Sequence, residues 1–333
     1  MTTKIRMYHM NRTTLATITI LTASLFAIDI LRAEDAAPAK PGGAAQQRKW
    51  PQQKAEWLDP NHEAQNGALY ATFTSKVLGH DASCLVWLPP GYGQESKRFP
   101  VIYWLHGMGA NQRGGAQMFV PQVEAAIKEG RLPPCIVVLV NGMVKSFYCD
   151  SSDGKIPMES VIIKDLIPHV DATYRTIATR EGRVIEGYSM GGYGAAHLGF
   201  KYPELFATVV INAGALLDPN LTNVPKDGPM FAVFGEDGAR RVAEHPLTLA
   251  KQNADKLRNS HIRIGCGDRD GLLPRNVELH ELLTTLGIAH EYEVVPAVAH
   301  DSPLYYRKLG TNVFEFHAKS LGGAAAATRP AGN

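Results

Sequence analysis

Residues 183–198 read RVIEGYSMGGYGAAHL, a short apolar strand pattern that passes through the pentad GYSMG into a run of small helix-forming residues. The pentad has the form G-x-S-x-G. In this form a serine occupies a strained turn between a strand and a helix, where glycine at the flanking positions avoids steric clashes. A glycine-rich chain can contain such a pentad by accident, but the strand before it and the helix after it favour the turn. The pattern therefore predicts an exposed nucleophilic hydroxyl at Ser189.

Short β-rich runs alternate with helix-patterned segments on both sides of this stretch. This alternation is typical of an α/β fold with a mostly parallel central sheet and helices on both faces. Strands are predicted at 101–105, 135–140, 183–187, 208–211, 262–266 and 292–295, and helices around 123–127 and over 158–174 and 277–286. An antiparallel pair, 70–77 and 82–88, precedes them and is predicted to turn at 79–81. Residues 230–234 are too few for periodicity to distinguish a strand from a helical turn.

Length and composition indicate one catalytic domain without a nucleic-acid partner. The chain has 333 residues, of which 45% are hydrophobic, which is enough for one sizeable core. Its 34 basic and 32 acidic residues nearly balance, and the basic ones are scattered rather than clustered. We therefore expect a small or neutral-surfaced substrate.

The N-terminus has the order of a signal peptide. A basic stretch is followed by an apolar run over 15–30 and by Ala33, near which we expect cleavage. Threonines and Asp29 interrupt the run, which disfavours the alternative of a retained membrane anchor. The predicted organisation is a signal peptide (1–33), a disordered tether (34–56), the catalytic domain (57–321) and a disordered tail (322–333). This organisation predicts a secreted or periplasmic protein.

Export would place the four cysteines in an oxidising compartment, where four thiols allow three pairings that sequence cannot rank. Cys84 and Cys266 lie in strand-like runs, which favours buried thiols at these two positions. Cys135 and Cys149 complete the set. No C-x-x-C pair or metal-ligand spacing occurs, so we predict no metal site.

A serine nucleophile needs a base to take its proton and fixed N–H donors for the developing oxyanion. The loop HGMG at 106–109 directly follows the strand ending at Leu105, the position from which such folds direct one backbone amide. The amides of Met108 and Met190 are therefore the predicted oxyanion donors. We interpret His106 as a loop residue that holds the turn by hydrogen bonds.

In this arrangement the acid and the base follow the serine along the chain, each on a loop after a strand. The strand over 262–266 is followed by GDRDG, which offers Asp268 and Asp270 as the acid. Asp270 is favoured, because Asp268 could instead cap the turn or pair with Arg269. The final strand is followed by His300, the predicted base.

The chain from about 68 to 321 resembles the esterase D and antigen 85 group of α/β-hydrolases, which includes feruloyl and acetylxylan esterases. The matching runs are YWLHG at 103–107, LIP at 166–168, YRT at 174–176, GYSMGG at 187–192, GDRD at 267–270 and AHD at 299–301. The resemblance implies Ser189 as nucleophile, Asp270 as acid and His300 as base. It also implies that 230–235 is helical. The chain departs from many relatives at 301–304, where they carry an aromatic residue two positions after the histidine, and this weakens the transfer of a feruloyl substrate.

The expected activity is hydrolysis of a carboxylic ester through an acyl-enzyme, without a cofactor, on a small-molecule or acylated polysaccharide substrate. Phe147 and Tyr148 follow a strand end and are predicted to line the substrate pocket at the active-site rim, or else to pack against the following helix. Transfer of the acyl group to a sugar hydroxyl is the first alternative. A non-catalytic glycan-binding protein with the same fold is the second, and a formylglutathione hydrolase is disfavoured by the leader.

Overall fold

The strand that leads into Ser189 lies near the middle of a sheet in the computed structural model, which describes residues 54–94 and 96–327. The strands are β1 (Leu69–Ser75), β2 (His80–Trp87), β3 (Val101–Leu105), β4 (Ile136–Val140), β5 (Arg183–Tyr188), β6 (Thr208–Asn212), β7 (His261–Gly267) and β8 (His290–Val295). Among the described residues they form one sheet in the order β1-β2-β4-β3-β5-β6-β7-β8. Only the β1–β2 and β2–β4 pairs are antiparallel. The α/β prediction with a mostly parallel sheet is confirmed.

The first hairpin turns earlier than the sequence predicted. Ser75 pairs with His80 and Thr74 pairs with Asp81, so two of the three residues assigned to the turn belong to β2. The turn comprises 76–79 and closes with the Gly79 N–H donating to the Ser75 carbonyl at 2.9 Å. Gly79 has φ +74°, a left-handed conformation that glycine adopts without a steric penalty, so it is the last residue of the turn rather than the first, as the sequence predicted.

Helices cover both faces of the sheet, so its strands are apolar on both sides. The helices are α1 (Gln112–Met118), α2 (Val120–Lys128), α3 (Met158–Val161), α4 (Ile167–Thr173), α5 (Met190–Lys201), α6 (Pro229–Phe234), α7 (Gly238–Ala243), α8 (Pro246–Gln252), α9 (Ala254–Leu257), α10 (Leu273–Thr285), α11 (Ser302–Leu309) and α12 (Phe314–Ala327). Strand β3 shows the division: Tyr103 packs into the core on one face and Trp104 into the core on the other. Both side chains are almost fully buried.

Two segments for which a helix was predicted or implied are helical in the structure. The predicted helix over 158–174 is α3 and α4 joined by a π-helical turn, Ile162–Leu166, and its predicted apolar face is buried. Residues 230–234 form most of α6, as the family resemblance implied.

The final helix α12 extends to Ala327, so the predicted tail boundary at 322 falls inside a helix. The alanines at 324–327 explain this difference, because alanine has the highest helix propensity.

The four cysteines are all buried and free, so none of the three possible disulfide pairings forms. Cys84 lies in β2 and Cys266 in β7, which is the buried-thiol arrangement that the strand patterns favoured. The predicted signal peptide and residues 34–53 of the predicted tether lie outside the described residues. Within 54–94 and 96–327, no helix is both long and apolar enough to cross a bilayer.

Candidate active site

The backbone at Ser189 is strained into a left-handed conformation with φ +60° and ψ −115°. Hydrogen bonds to neighbouring strands and loops hold it there: the Ser189 N–H donates to the Asn212 carbonyl at 2.9 Å, and the Ser189 carbonyl accepts from the Ala215 N–H at 2.9 Å. A Cβ on Gly191 would lie 1.9 Å from the Leu105 carbonyl oxygen. The glycines of the pentad therefore allow three backbone segments to meet at this turn.

The structure brings Ser189, His300 and Asp270 together at the carboxyl edge of the sheet. Ser189 follows β5, Asp270 follows β7 and His300 follows β8. The His300 Nε2 lies 2.8 Å from the Ser189 Oγ, and the His300 Nδ1 lies 2.7 Å from the Asp270 Oδ2. With the Nδ1 proton directed at the carboxylate, Nε2 is free to accept the serine proton.

Geometry distinguishes the two candidate aspartates. Asp270 is 3% exposed, and its second oxygen accepts from the Leu272 N–H at 2.9 Å, which fixes the carboxylate toward His300. Asp268 instead accepts from the Val298 N–H at 3.2 Å. Hydrogen bonds from the backbone of Ala297 and Val298 lower the pKa of Asp268. Asp268 therefore ties two loops together, and Asp270 is the aspartate bound to the histidine.

The two predicted oxyanion amides belong to residues next to the serine, Met190 along the chain and Met108 on a neighbouring loop. Met190 is the first residue of α5, so its N–H has no partner within the helix. The loop carrying Met108 also contacts the serine, because a Cβ on Gly107 would lie 3.4 Å from the Ser189 Cβ. The next amide, that of Gly109, donates to the Val144 carbonyl at 2.9 Å. This bond anchors the loop, and Met108 lines the same pocket as Ser189.

His106 supports this loop in the way its sequence position suggested. Its Nε2 accepts from the Gly142 N–H at 3.0 Å, and its Nδ1 lies 2.8 Å from the Gly107 carbonyl. The ring is fully buried, and burial lowers its pKa to about 4. His106 is therefore a neutral hydrogen-bonding residue under the site.

Phe147 and Tyr148 do not line the pocket, so the prediction that they contact substrate is wrong. Both have left-handed backbones, with φ +52° and +58°, and both side chains are at most 1% exposed. Tyr148 packs against Gly194 of α5 and donates from its hydroxyl to the His106 carbonyl at 2.9 Å. The two successive left-handed residues turn the side chains inward, where they pack against α5, whereas the alternative named the helix that follows them in the chain.

A pocket of about 850 Å³ opens beside Ser189 and His300. Its walls come from the 107–110 loop, from α1 and α2 on one side, and from α11 and the turn after it on the other. Trp104 and Tyr188 contribute aromatic surface. The remaining lining residues are Gly114, Gln117, Met118, Pro121, Gln122, Ala125, Ser302, Pro303, Arg307, Gly310 and Thr311. Sequence reasoning missed this wall, because its residues lie on helices that no catalytic motif marks.

The other histidines lie outside this site. His280 and His290 face each other, with Nδ1 and Nε2 at 2.7 Å, and His317 lies with its Nε2 2.7 Å from the Glu186 carboxylate in the core. Among the described residues, Glu159, His197 and Glu244 form the one three-residue group with the composition of a metal site. The Lys201 ammonium already lies 2.8 Å from one of these carboxylates and 2.6 Å from the other, so a cation is present in that cluster.

The fold and the Ser–His–Asp arrangement define an α/β-hydrolase. The chain belongs to the esterase family described as “Putative esterase”, whose sequence model matches residues 75–326. The resemblance to that group is thereby confirmed at the level of family.

Individual proteins that are similar to this chain are also described as esterases. An esterase of Mycobacterium tuberculosis is 27% identical over 285 residues, which cover 77% of this chain and 61% of that protein. An endo-1,4-beta-xylanase/feruloyl esterase of Xylanibacter ruminicola is 32% identical over 167 residues, or 46% of this chain and 22% of that protein. The chain thus spans about three fifths of the length of the Mycobacterium tuberculosis esterase and about one fifth of the length of the Xylanibacter ruminicola protein. A solved ferulic acid esterase shares the fold, with a TM-score of 0.67 at 24% identity over 77% of this chain and 98% of that one.

Proposed function

We propose that this protein is a serine carboxylesterase that works through an acyl-enzyme. The observation that carries the proposal is the continuous pair of contacts from the Asp270 carboxylate through the His300 ring to the Ser189 hydroxyl, at 2.7 and 2.8 Å. These distances are within the reach that general-base activation of a serine requires.

In the proposed reaction, the Ser189 Oγ attacks the ester carbonyl carbon while His300 Nε2 takes the hydroxyl proton. The amides of Met108 and Met190 stabilise the negative charge that develops on the carbonyl oxygen. His300 then protonates the departing alkoxide, which leaves as the alcohol. Water repeats the attack on the acyl-enzyme with His300 again as base, and this releases the acid and restores Ser189.

Esters of plant or algal polysaccharides are the proposed substrates. Two features support them: the named feruloyl esterase relative, and a mostly apolar pocket, bordered by Met108, Met118 and Pro303, that suits an aromatic or short aliphatic acyl group. The N-terminal signal-peptide pattern supports secretion, which would give access to such polymers.

The test compares wild type with Ser189→Ala on p-nitrophenyl acetate and with a fluorophosphonate probe. We expect Ser189→Ala to lose labelling and to lower kcat at least about 1,000-fold, because the nucleophile is removed. Ser320→Ala is the matched control, since the Ser320 hydroxyl only contacts the His317 carbonyl of its own helix. Equal turnover in Ser189→Ala and wild type would refute the proposal, and unlabelled wild type without turnover would point to a binding protein instead.

A further inference from the structure

The pocket beside Ser189 contains one permanently charged side chain, that of Arg307. Arg307 lies in the last turn of α11 and is exposed. Within the described part of the chain, no carboxylate forms an ion pair with its guanidinium. A catalytic pocket that is otherwise lined by apolar and neutral polar residues therefore has an uncompensated positive charge.

Three acidic residues that contact or adjoin lining residues of the pocket already have hydrogen-bond partners. Glu129, which lies behind Thr311, accepts from the Thr311 hydroxyl at 2.6 Å and from the Arg131 Nε at 3.0 Å. Asp301 caps α11 by accepting from the Leu304 N–H at 2.9 Å. Asp270 is bound to His300 on the far side of the imidazole. These bonds leave Arg307 as the charged group that a ligand in the pocket would meet.

Arg307 lies on the face of α11 that lines the pocket, about one and a half turns after the start of the helix. Helix α11 begins at Ser302, two residues after His300, and Arg307 follows five residues later, which is about 7.5 Å along the helix axis. Pro303 and Arg307 are four residues apart, so both lie on the face of α11 that lines the pocket. Because Arg307 lines the same pocket as Ser189 and His300, a substrate bound there meets the guanidinium as well as the reacting atoms.

We propose that Arg307 is a specificity-determining residue that binds a carboxylate carried by the ester substrate. The planar guanidinium presents paired N–H donors that match the two oxygens of a carboxylate. The proposal rests on the esterase function above and narrows it to anionic esters. A carboxylate on the acyl group and one on the alcohol present the same chemistry to the guanidinium, and the experiment below distinguishes the two sources.

An exposed arginine is often only a solvated surface residue, and the chain offers a control for that interpretation. Lys308 is the next residue on α11, is also exposed and carries the same charge, but it does not line the pocket. Loss of either charge changes the net charge of the protein equally. Only loss of Arg307 should change the selection of substrates.

The experiment measures kcat/KM for two pairs of esters with wild type, Arg307→Gln and Lys308→Gln. The acyl pair is the p-nitrophenyl monoester of adipic acid and the same ester with its carboxylate replaced by a carboxamide. The alcohol pair is 4-acetoxybenzoate and 4-acetoxybenzamide. We expect wild type to prefer the anionic member of at least one pair about tenfold, and the responding pair identifies the source of the carboxylate.

Arg307→Gln should abolish this preference, because KM rises for the anionic ester and changes less for its neutral partner; an Arg307→Gln protein that keeps the preference would refute the role of Arg307. Lys308→Gln should retain the preference. If wild type cleaves both members of each pair equally well, or if Lys308→Gln loses the preference as Arg307→Gln does, the role of Arg307 is refuted and the esterase function stands. If wild type cleaves none of the four esters and is not labelled by the fluorophosphonate probe, the esterase function itself has failed.

Discussion

Replacing Gly191 by alanine should damage stability and catalysis together, because the new methyl group meets backbone rather than a movable side chain. The added Cβ would lie 1.9 Å from the Leu105 carbonyl oxygen, 2.5 Å from its carbonyl carbon and 2.9 Å from the His106 carbonyl oxygen. A normal contact requires at least 3.0 Å. The 105–108 backbone or the start of α5 must therefore move by about 1 Å.

This movement separates the two proposed oxyanion amides, since Met108 lies on the displaced loop and Met190 on the helix. A misplacement of about 1 Å in a catalytic group costs on the order of 100-fold in rate. Overpacking of this kind typically costs about 1–3 kcal/mol of stability. We therefore expect Gly191→Ala to lower kcat for p-nitrophenyl acetate about 100-fold and to lower the free energy of unfolding by about 1–3 kcal/mol.

The assay is a urea unfolding curve together with steady-state kinetics on the purified variant. Gly271→Ala is the control, because a Cβ at Gly271 meets nothing within 4 Å although the residue directly follows Asp270. It should retain both stability and kcat. A Gly191→Ala protein with the stability and kcat of wild type would show that the three backbone segments do not meet as tightly as described.

Two further predictions concern pH and thiols. Burial lowers the pKa of His245 to about 4, because the folded protein disfavours the charged ring. The neutral ring therefore contributes to the free energy of unfolding above pH 6.5, and this contribution is lost as the pH falls toward 4. The free energy of unfolding of wild type should therefore fall by roughly 2–3 kcal/mol more than that of His245→Asn between pH 6.5 and 4, measured by urea titration, and parallel curves for the two proteins would contradict this. Because all four cysteines are free and buried, a thiol reagent such as DTNB should react slowly with the native protein and titrate four thiols in guanidinium chloride; fewer than four would reveal a disulfide.

The sequence predicted the sheet and the placement of the Ser–His–Asp set, because these depend on local patterns that repeat along the chain. Ser189, Asp270 and His300 each follow a strand, and parallel strands bring their carboxyl ends to one edge. The 158–174 helix was predictable from its apolar spacing. Its π-helical turn was not, since it adds one residue to a turn without changing the composition.

The pocket was less predictable, because its walls depend on tertiary packing. Phe147 and Tyr148 face the core only because two consecutive backbones are left-handed, which aromatic residues do not signal. Arg307 lies on a helix whose other face packs Tyr305 and Tyr306 into the core. The apolar spacing of such a helix indicates its buried face, but it does not indicate that an exposed residue such as Arg307 lines a pocket. The state of the cysteines likewise depended on tertiary packing, since four thiols allow three pairings that sequence cannot rank.

The left-handed backbone at Ser189 implies a trade-off between durability and reactivity at a single residue. Non-glycine residues in such conformations cost of the order of 1–3 kcal/mol, a cost that glycine at the same position would largely avoid. The chain would thus be more stable without the hydroxyl that we propose as its nucleophile. Efforts to raise its heat tolerance are better directed elsewhere, because a screen for stability alone would reward loss of this proposed nucleophile.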